Sequence, residues 1–253
     1  MVKIILSGCC GKMGKAITSC VESRNDCEII AGVDISEGIL EFPVFSSFDK
    51  ITDDIKADLI IDFSHPSVLN GLLKYAINNQ IPTVIATTGL DDSQVNLIKE
   101  ASSKIPVFFS ANMSIGVSLL SELCKKAASV LGNDFDIEIV EMHHNQKIDA
   151  PSGTALMIAD SITESLNKEC IYEFDRHSKR SKRTKNEIGI HAVRGGTIVG
   201  EHEVIFAGPD EVIKISHSAY SKGLFANGSV NAGLYIVNKK PGFYNMNDLV
   251  NKK

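Results

Sequence analysis

The first thirty-four residues constrain the fold more than any other stretch. An apolar run, Val2 to Leu6, leads into Ser7-Gly8-Cys9-Cys10-Gly11-Lys12-Met13-Gly14. Apolar residues then recur at helical spacing (Ala16, Ile17, Cys20, Val21), and a second strand-like run, Glu28 to Val33, closes on Asp34. A buried strand, a glycine turn, a helix and a second strand ending in an acid make the start of a dinucleotide-binding βαβ unit. Gly8 allows the tight turn, Gly11 the close approach of a pyrophosphate and Gly14 close packing of helix on strand. Asp34 stands where a carboxylate takes the hydroxyls of the adenine ribose.

The alternation continues. Asp58 to Asp62, Pro82 to Thr88 and Pro106 to Ser110 read as strands, with helices at Pro66 to Asn79 and Asp91 to Ser103 between them. Strands alternating with helices predict a parallel, doubly wound sheet, and such sheets bind ligands beyond the carboxyl ends of their strands. Gly8 to Met13, Phe63-Ser64, Ala86-Thr87-Thr88-Gly89 and Ser110-Ala111-Asn112-Met113 end there. The last two are expected along the nicotinamide half of a cofactor. From Ser114 the pattern changes: a helix through Val117, Leu120, Cys124, Ala127 and Leu131 precedes a strand that alternates apolar and acidic residues from Phe135 to Val140. Further strands at Ile188 to Val193, Glu201 to Ala207 and Glu211 to Ser218, separated by glycine turns, predict a second, smaller and mostly antiparallel sheet. A helix from Gly228 to Val237 and the closing GFYNMNDLV follow.

The chemistry concentrates in Glu141 to Ala155, EMHHNQKIDAPSGTA, on the connection between that alternating strand and a helix over Ala155 to Leu166. Neighbouring side chains on a strand point to opposite faces, so His143 and His144 are expected to do different jobs rather than chelate one metal. Lys147 follows after a gap that lets the loop fold back towards His143. Pro151 disfavours helix at Ala150, Ser152 suits a helix N-cap, and Gly153 lets a ligand approach the backbone. Amides at a helix start, with the dipole behind them, favour a carboxylate. An anion cradle, a cationic donor and a titratable pair together suit an acidic small molecule undergoing proton transfer.

Composition removes other classes. A net charge of -5 gives no general attraction to nucleic acid, and the basic run Arg176 to Lys185 lacks aromatic residues, so it reads as a solvated loop. No run is long enough to span a membrane. Six cysteines at irregular spacings do not make a disulfide framework. MVKIILSG lacks the shape of a signal peptide. A reduced, cytoplasmic protein is expected.

Four segments carry a resemblance: GCCGKMG, HHNQKIDAPSGTA, IHAVRGGTIVGEHEVIFAG (190–208) and HSAYSKGLFANG (217–228). Together they resemble the 4-hydroxy-tetrahydrodipicolinate reductase (dihydrodipicolinate reductase) family, over essentially the whole chain. The resemblance implies an α/β fold, with a Rossmann-like N-terminal domain and a smaller α+β domain whose open mixed sheet builds a homotetramer. It places the dinucleotide domain at 1–113, with 224–253 packing back on it, and the substrate and oligomerisation domain at 114–223. It implies NADH or NADPH as hydride donor, a dicarboxylate substrate and no metal. His143 and Lys147 would handle protons, with the donor of the two left open. His144, Ser152, Gly153 and Thr154 would meet the substrate. Gly8, Cys9, Cys10, Gly11, Lys12, Met13, Asp34, Ala86, Thr87, Thr88, Ser110, Ala111, Asn112 and Met113 would meet the cofactor.

Four positions depart from the family pattern. Cys10 replaces a common glycine and pairs a thiol with Cys9, and Ala86 replaces the glycine of a GTTG segment. Ile35 follows Asp34 where members accepting NADPH carry arginine, which favours NADH, although Lys12 could reach a 2'-phosphate. Lys222 stands where arginine is frequent and loses its bidentate fork. On the residues alone, a semialdehyde dehydrogenase of the same layout and a non-catalytic dinucleotide sensor also stay open.

Overall fold

The computed structural model describes residues 1–36, 38–132, 134–166 and 168–251; the last two residues of the 224–253 segment lie outside them. In chain order the elements are β1 (Val2–Ser7), α1 (Lys12–Glu22), β2 (Cys27–Val33), β3 (Val44–Phe45), β4 (Leu59–Asp62), α2 (Leu69–Asn79), β5 (Thr83–Ile85), α3 (Asp92–Ser102), β6 (Pro106–Phe109), α4 (Ile115–Leu131), β7 (Asp136–His143), α5 (Gly153–Leu166), β8 (Ile171–Glu173), β9 (Glu187–Arg194), β10 (Gly200–Ala207), β11 (Val212–Ala219), α6 (Gly223–Ile236), β12 (Gly242–Tyr244) and α7 (Met246–Asn251). They form two compact units, Met1–Ile115 with Lys222–Lys253, and Gly116–Ser221.

The first unit is a seven-stranded sheet in the order β12-β6-β5-β4-β1-β2-β3, parallel at every pairing. Its strands are near-continuous apolar runs because helices cover both faces. Ile4, Leu6, Leu59, Ile61 and Phe108 pack under α1 and α6, through Ile17, Val21, Val230 and Ile236. Ile5, Ile60, Ile85 and Val107 pack under α2 and α3, through Leu72, Leu73, Ile98 and Ala101. Helix α3 starts on a capping box: the Asp91 carboxylate accepts the Gln94 amide and the Gln94 side chain accepts the Asp91 amide.

The second unit is a five-stranded sheet in the order β11-β10-β7-β9-β8. The β10–β11 and β10–β7 pairs are antiparallel, and β7–β9 and β8–β9 are parallel. The sheet is therefore mixed, not mostly antiparallel, because β9 joins beside β7 instead of extending a hairpin. Leu120 and Cys124 of α4 and Ile158 and Ile162 of α5 cover one face, against Ile137, Ile139, Ile190, Val204 and Phe206. The basic run after β8 is less free than a solvated loop. Arg183 bonds the Asp136 and Glu138 carboxylates and the backbone carbonyls of Ile137 and Glu187, and Arg176 pairs with Glu187. Its charge is spent holding strands together.

Other elements depart from the expected bounds. The Pro82–Thr88 strand shortens to Thr83–Ile85, because Thr87 turns to the Asp62 carboxylate. Pro66–Val68 is a 3-10 turn ahead of α2. Helix α6 begins five residues earlier than periodicity suggested. Its Gly228 crosses the Met113 carbonyl so closely that a Cβ would sit 1.7 Å from that oxygen, so this glycine serves packing and does not mark a helix boundary.

Candidate active site

In the first unit, Gly8 turns the chain out of β1 with φ +80°, and a Cβ there would stand 2.4 Å from the Phe63 carbonyl oxygen. Only glycine suits both conditions. A Cβ on Gly14 would stand 2.3 Å from the Gly8 carbonyl oxygen, so α1 presses directly on the turn. Gly11 caps α1 without a side-chain hydrogen bond, leaving the helix start to an anion. Gly8, Cys10, Gly11 and Asp34 line a cavity of about 840 Å³ with Ser36, Ser47 and Asp49. A second cavity of about 360 Å³ is lined by Lys12, Met13, Ala86, Thr87, Thr88, Ala111, Met113 and Lys222. A cradle of close-packed glycines, a helix start and a ribose-type acid fit a dinucleotide.

Three of the expected cofactor residues line neither cavity. Cys9 is wholly buried beneath the loop. Ser110 bonds through its hydroxyl to the Asn112 carbonyl and amide, so this pair shapes the turn. Lys12 does not line the Asp34 cavity; as the first residue of α1 it faces the other one. Asp62 is a group the sequence did not single out. It is buried at the end of β4, accepts the hydroxyls of Ser64 at 2.5 Å and Thr87 at 2.6 Å, and so pins the rims of both cavities. Burial pushes its carboxyl above the ordinary range.

In the second unit, the helix-covered face of the sheet changes character along the strands. It is apolar through Ile137, Ile139, Val204 and Phe206, then turns polar at Glu141, whose register partner on β10 is His202, itself opposite His217 on β11. One step on, His143 stands opposite Arg194 of β9. Glu141 is fully buried and accepts from four donors: His143 Nδ1 at 2.6 Å, Arg194 at 2.8 and 2.7 Å, and the Ser152 amide at 2.9 Å. Burial alone would raise its carboxyl, but Arg194, His143 and the Ser152 amide hold it below the usual range. A carboxylate only accepts, so the His143 hydrogen sits on Nδ1. Nε2 then points past Gly200, where a Cβ would come within 3.1 Å of it.

Ser152 caps α5 as expected. Its Oγ accepts the Ala155 amide at 3.2 Å and bonds His202 Nε2 at 3.0 Å. Gly153 opens the helix with no atom within 4 Å of where its Cβ would be, and Thr154 follows, half-buried. His144 is the first loop residue, its carbonyl accepting the Lys147 amide at 3.1 Å. Lys147 pairs with Asp149 at 2.9 Å, and the Asp149 carbonyl takes a second bond from Arg194 at 2.7 Å. Lys147 and His143 are thereby joined through one network. Arg194 Nε, His202 Nδ1 and His217 Nδ1 are buried without a partner at this end of the sheet. Unsatisfied polar atoms concentrated in this way suit the reception of a polar ligand. Glu141, Arg194, His202 and His217 were not singled out from the sequence. The signals were that Arg194, His202 and His217 lie in segments that carry the resemblance and that Glu141 opens the EMHHNQKIDAPSGTA stretch.

His202 has a measurable consequence. Burial, followed by the nearby His143 ring, pushes its imidazole down from 6.5 to about 4. With the native value depressed, its stabilising contribution is complete above the unfolded value and is lost as pH falls through the native one. We expect unfolding free energy to drop by roughly 3 kcal/mol from this group between pH 6.5 and pH 4. His202→Gln should flatten that part of the curve. Urea titrations across the window check it, and a variant curve parallel to wild type would refute it.

Known proteins share this layout. Residues 2–113 match the family model for the dihydrodipicolinate reductase N-terminus, and residues 116–250 the model for its C-terminus. The 4-hydroxy-tetrahydrodipicolinate reductase of Caldanaerobacter subterraneus subsp. tengcongensis is 51% identical over 252 residues, covering 100% of this chain and 99% of the relative. That of Clostridium tetani is 49% identical, covering 99% and 98%. A dipicolinate-bound dihydrodipicolinate reductase from Paenisporosarcina sp. TG-14 superposes with a TM-score of 0.82 at 25% identity, over 97% of each chain. With both halves matched and near-complete relatives at about half identity, the chain belongs to the dihydrodipicolinate reductase family, NAD(P)H-dependent oxidoreductases that reduce 4-hydroxy-tetrahydrodipicolinate on the diaminopimelate route to lysine.

Proposed function

We propose that His143 and Lys147 handle the protons of this reduction, with His144, Ser152, Gly153 and Thr154 meeting the substrate. The reaction converts 4-hydroxy-tetrahydrodipicolinate to tetrahydrodipicolinate with loss of water. A nicotinamide dinucleotide, when held by the first unit, would supply hydride to C4 of the conjugated cyclic imine. The addition leaves negative charge shared between ring carbon and nitrogen, and one proton must neutralise it. Lys147, paired with Asp149, can stabilise that charge and donate. His143, with Nδ1 anchored on Glu141, presents Nε2 as donor or orienter. The start of α5, at Gly153 and Thr154, favours one substrate carboxylate through the helix dipole. The observation that carries this reading is the buried Glu141 carboxylate, which ties His143, Arg194 and the Ser152 amide into one preorganised group.

NADH is proposed as the preferred donor. Asp34 and Asp49 line the larger cavity with exposed Ile35, and among the described residues no lysine or arginine lines it, so a 2'-phosphate would meet carboxylates. Gly8, Gly11 and Asp34 would hold the adenosine and pyrophosphate half, and Met13, Ala86 to Thr88, Ala111 and Met113 the nicotinamide half. A coupled assay fed by aspartate semialdehyde, pyruvate and the preceding synthase tests the activity and the cofactor together. We expect kcat/KM to be higher with NADH, and Ile35→Arg to improve NADPH use about tenfold through one charge-assisted phosphate contact. A wild type that prefers NADPH would overturn the preference.

A homotetramer is proposed on the second sheet. Among the described residues α4 and α5 cover one face, and the other exposes Val193 and Val212 beside Val140, Met142 and Ile205. Light scattering on the purified chain tests it, and a monomer at micromolar concentration would reject it.

A further inference from the structure

We infer that Cys9, Cys10 and Asp34 form a site for a thiophilic divalent cation of the Zn2+ type, and that the bound cation shuts the dinucleotide cavity. Such a cation would act as an inhibitor, not as a cofactor. Among the described residues, these three bring their donor atoms within 4.8 Å of one another. The two sulfurs stand 3.9 Å apart. A tetrahedral Zn2+ bonded to each sulfur at about 2.3 Å would hold them about 3.8 Å apart. The pair therefore already has the spacing of one edge of a metal site. A disulfide would need the sulfurs at about 2.0 Å, and both cysteines are free thiols.

The third donor is held in place. Asp34 accepts the Cys10 amide on Oδ2 and the Ser36 amide on Oδ1, both at 2.9 Å. A carboxylate has about four lone-pair sites, so each oxygen keeps capacity for an ion. Cys10 and Asp34 line the cavity, which provides an entry path. Cys9 lies buried behind Cys10. Coordination breaks both S–H bonds, forms two metal–sulfur bonds and one metal–oxygen bond, and releases both protons to water. Two protons leave as the dication enters, so the net charge of the loop is unchanged. What changes is Asp34, whose carboxylate is committed to the ion and lost to a ribose. Cation and dinucleotide should exclude one another. That exclusion rests on the cofactor reading above, whereas the cation site does not.

The test is a titration of the full chain with Co2+ alone, in a non-coordinating reductant. Expected are thiolate-to-cobalt charge-transfer absorbance and the visible bands of a tetrahedral ion, saturating at one ion per chain and bleached by Zn2+. The histidine cluster of the second unit cannot produce the sulfur band. Cys10→Gly and Cys10→Ser should both lose it, and saturating NADH should reduce it in the wild type. In turnover, Zn2+ at about ten times its own Kd should raise the apparent KM for NADH about tenfold by mass action, with kcat unchanged. No sulfur band in the wild type, or the same band in Cys10→Gly, overturns the cation site. A cobalt spectrum unmoved by NADH, when NADH fluorescence shows binding to the metal-free chain, overturns the exclusion. Failure of NADH to bind the metal-free chain overturns the cofactor reading, and the exclusion with it.

Discussion

Lys147→Ala should lower kcat by roughly 10²- to 10⁴-fold, the usual range for a positioned proton donor. The ammonium pairs with Asp149 at 2.9 Å, and the Asp149 carboxyl is held below its ordinary range chiefly by that contact. The pair sits on a loop anchored by Arg194 through the Asp149 carbonyl. Removing an ammonium that is only partly buried should leave the fold intact, so the loss is chemical. Lys147→Arg separates two roles. Arginine keeps the charge but does not give up a proton at neutral pH. Partial rescue by arginine would mean that the lysine mainly stabilises developing charge, and no rescue would mean that it donates. Binding of pyridine-2,6-dicarboxylate to each variant, followed by calorimetry, separates lost affinity from lost turnover. A Lys147→Ala enzyme within threefold of wild-type kcat would remove Lys147 from the mechanism.

Glu141→Gln should cost both stability and activity. The carboxylate is fully buried and accepts from four donors. An amide has one accepting end, so its NH2 must face either the His143 and Arg194 donors or the Ser152 and Arg194 donors. Arg194, which is half-buried, is left without its counter-ion; breaking a buried pair typically costs about 3–5 kcal/mol, and the partial exposure of the arginine places the cost at the lower end. Melting should fall by roughly 10 °C. The catalytic half of the effect should appear in kcat: without the carboxylate, His143 Nδ1 loses the acceptor that fixes its ring, so kcat should fall while KM for NADH holds. The double variant Glu141→Leu with Arg194→Met should recover most of the stability, since apolar replacement of a buried pair is often neutral or better. It should not recover kcat. If Glu141→Gln melts and turns over like wild type, Glu141 does not position His143.

The legible parts of this protein were those written in local periods. Val2 to Asp34 is a strand, a turn and a helix whose apolar residues repeat at their own spacings, and Gly8 is demanded by backbone geometry that no neighbour supplies. HHNQKIDAPSGTA was legible for the same reason, since its strand end, loop and helix cap are contiguous, and Ser152 does cap α5. Strands β3, β8 and β12 were missed because two or three residues are too short to show an alternation.

Only tertiary structure could decide what surrounds His143. Glu141 is two residues away in sequence, but Arg194 is 53 residues from Glu141 and His202 is 50 from Ser152. They meet because β9 and β10 flank β7 in one register, and a shift of one residue would turn every one of these side chains to the opposite face. The same holds for Lys12, whose charge was evident but whose cavity was set by the start of α1. The sequence by itself determined the longer elements and the reactive residue types, because those follow from nearest-neighbour geometry. The Arg194 and His202 side chains that gather round Glu141 and Ser152 were brought there by strand pairing, a long-range choice that has no local signature.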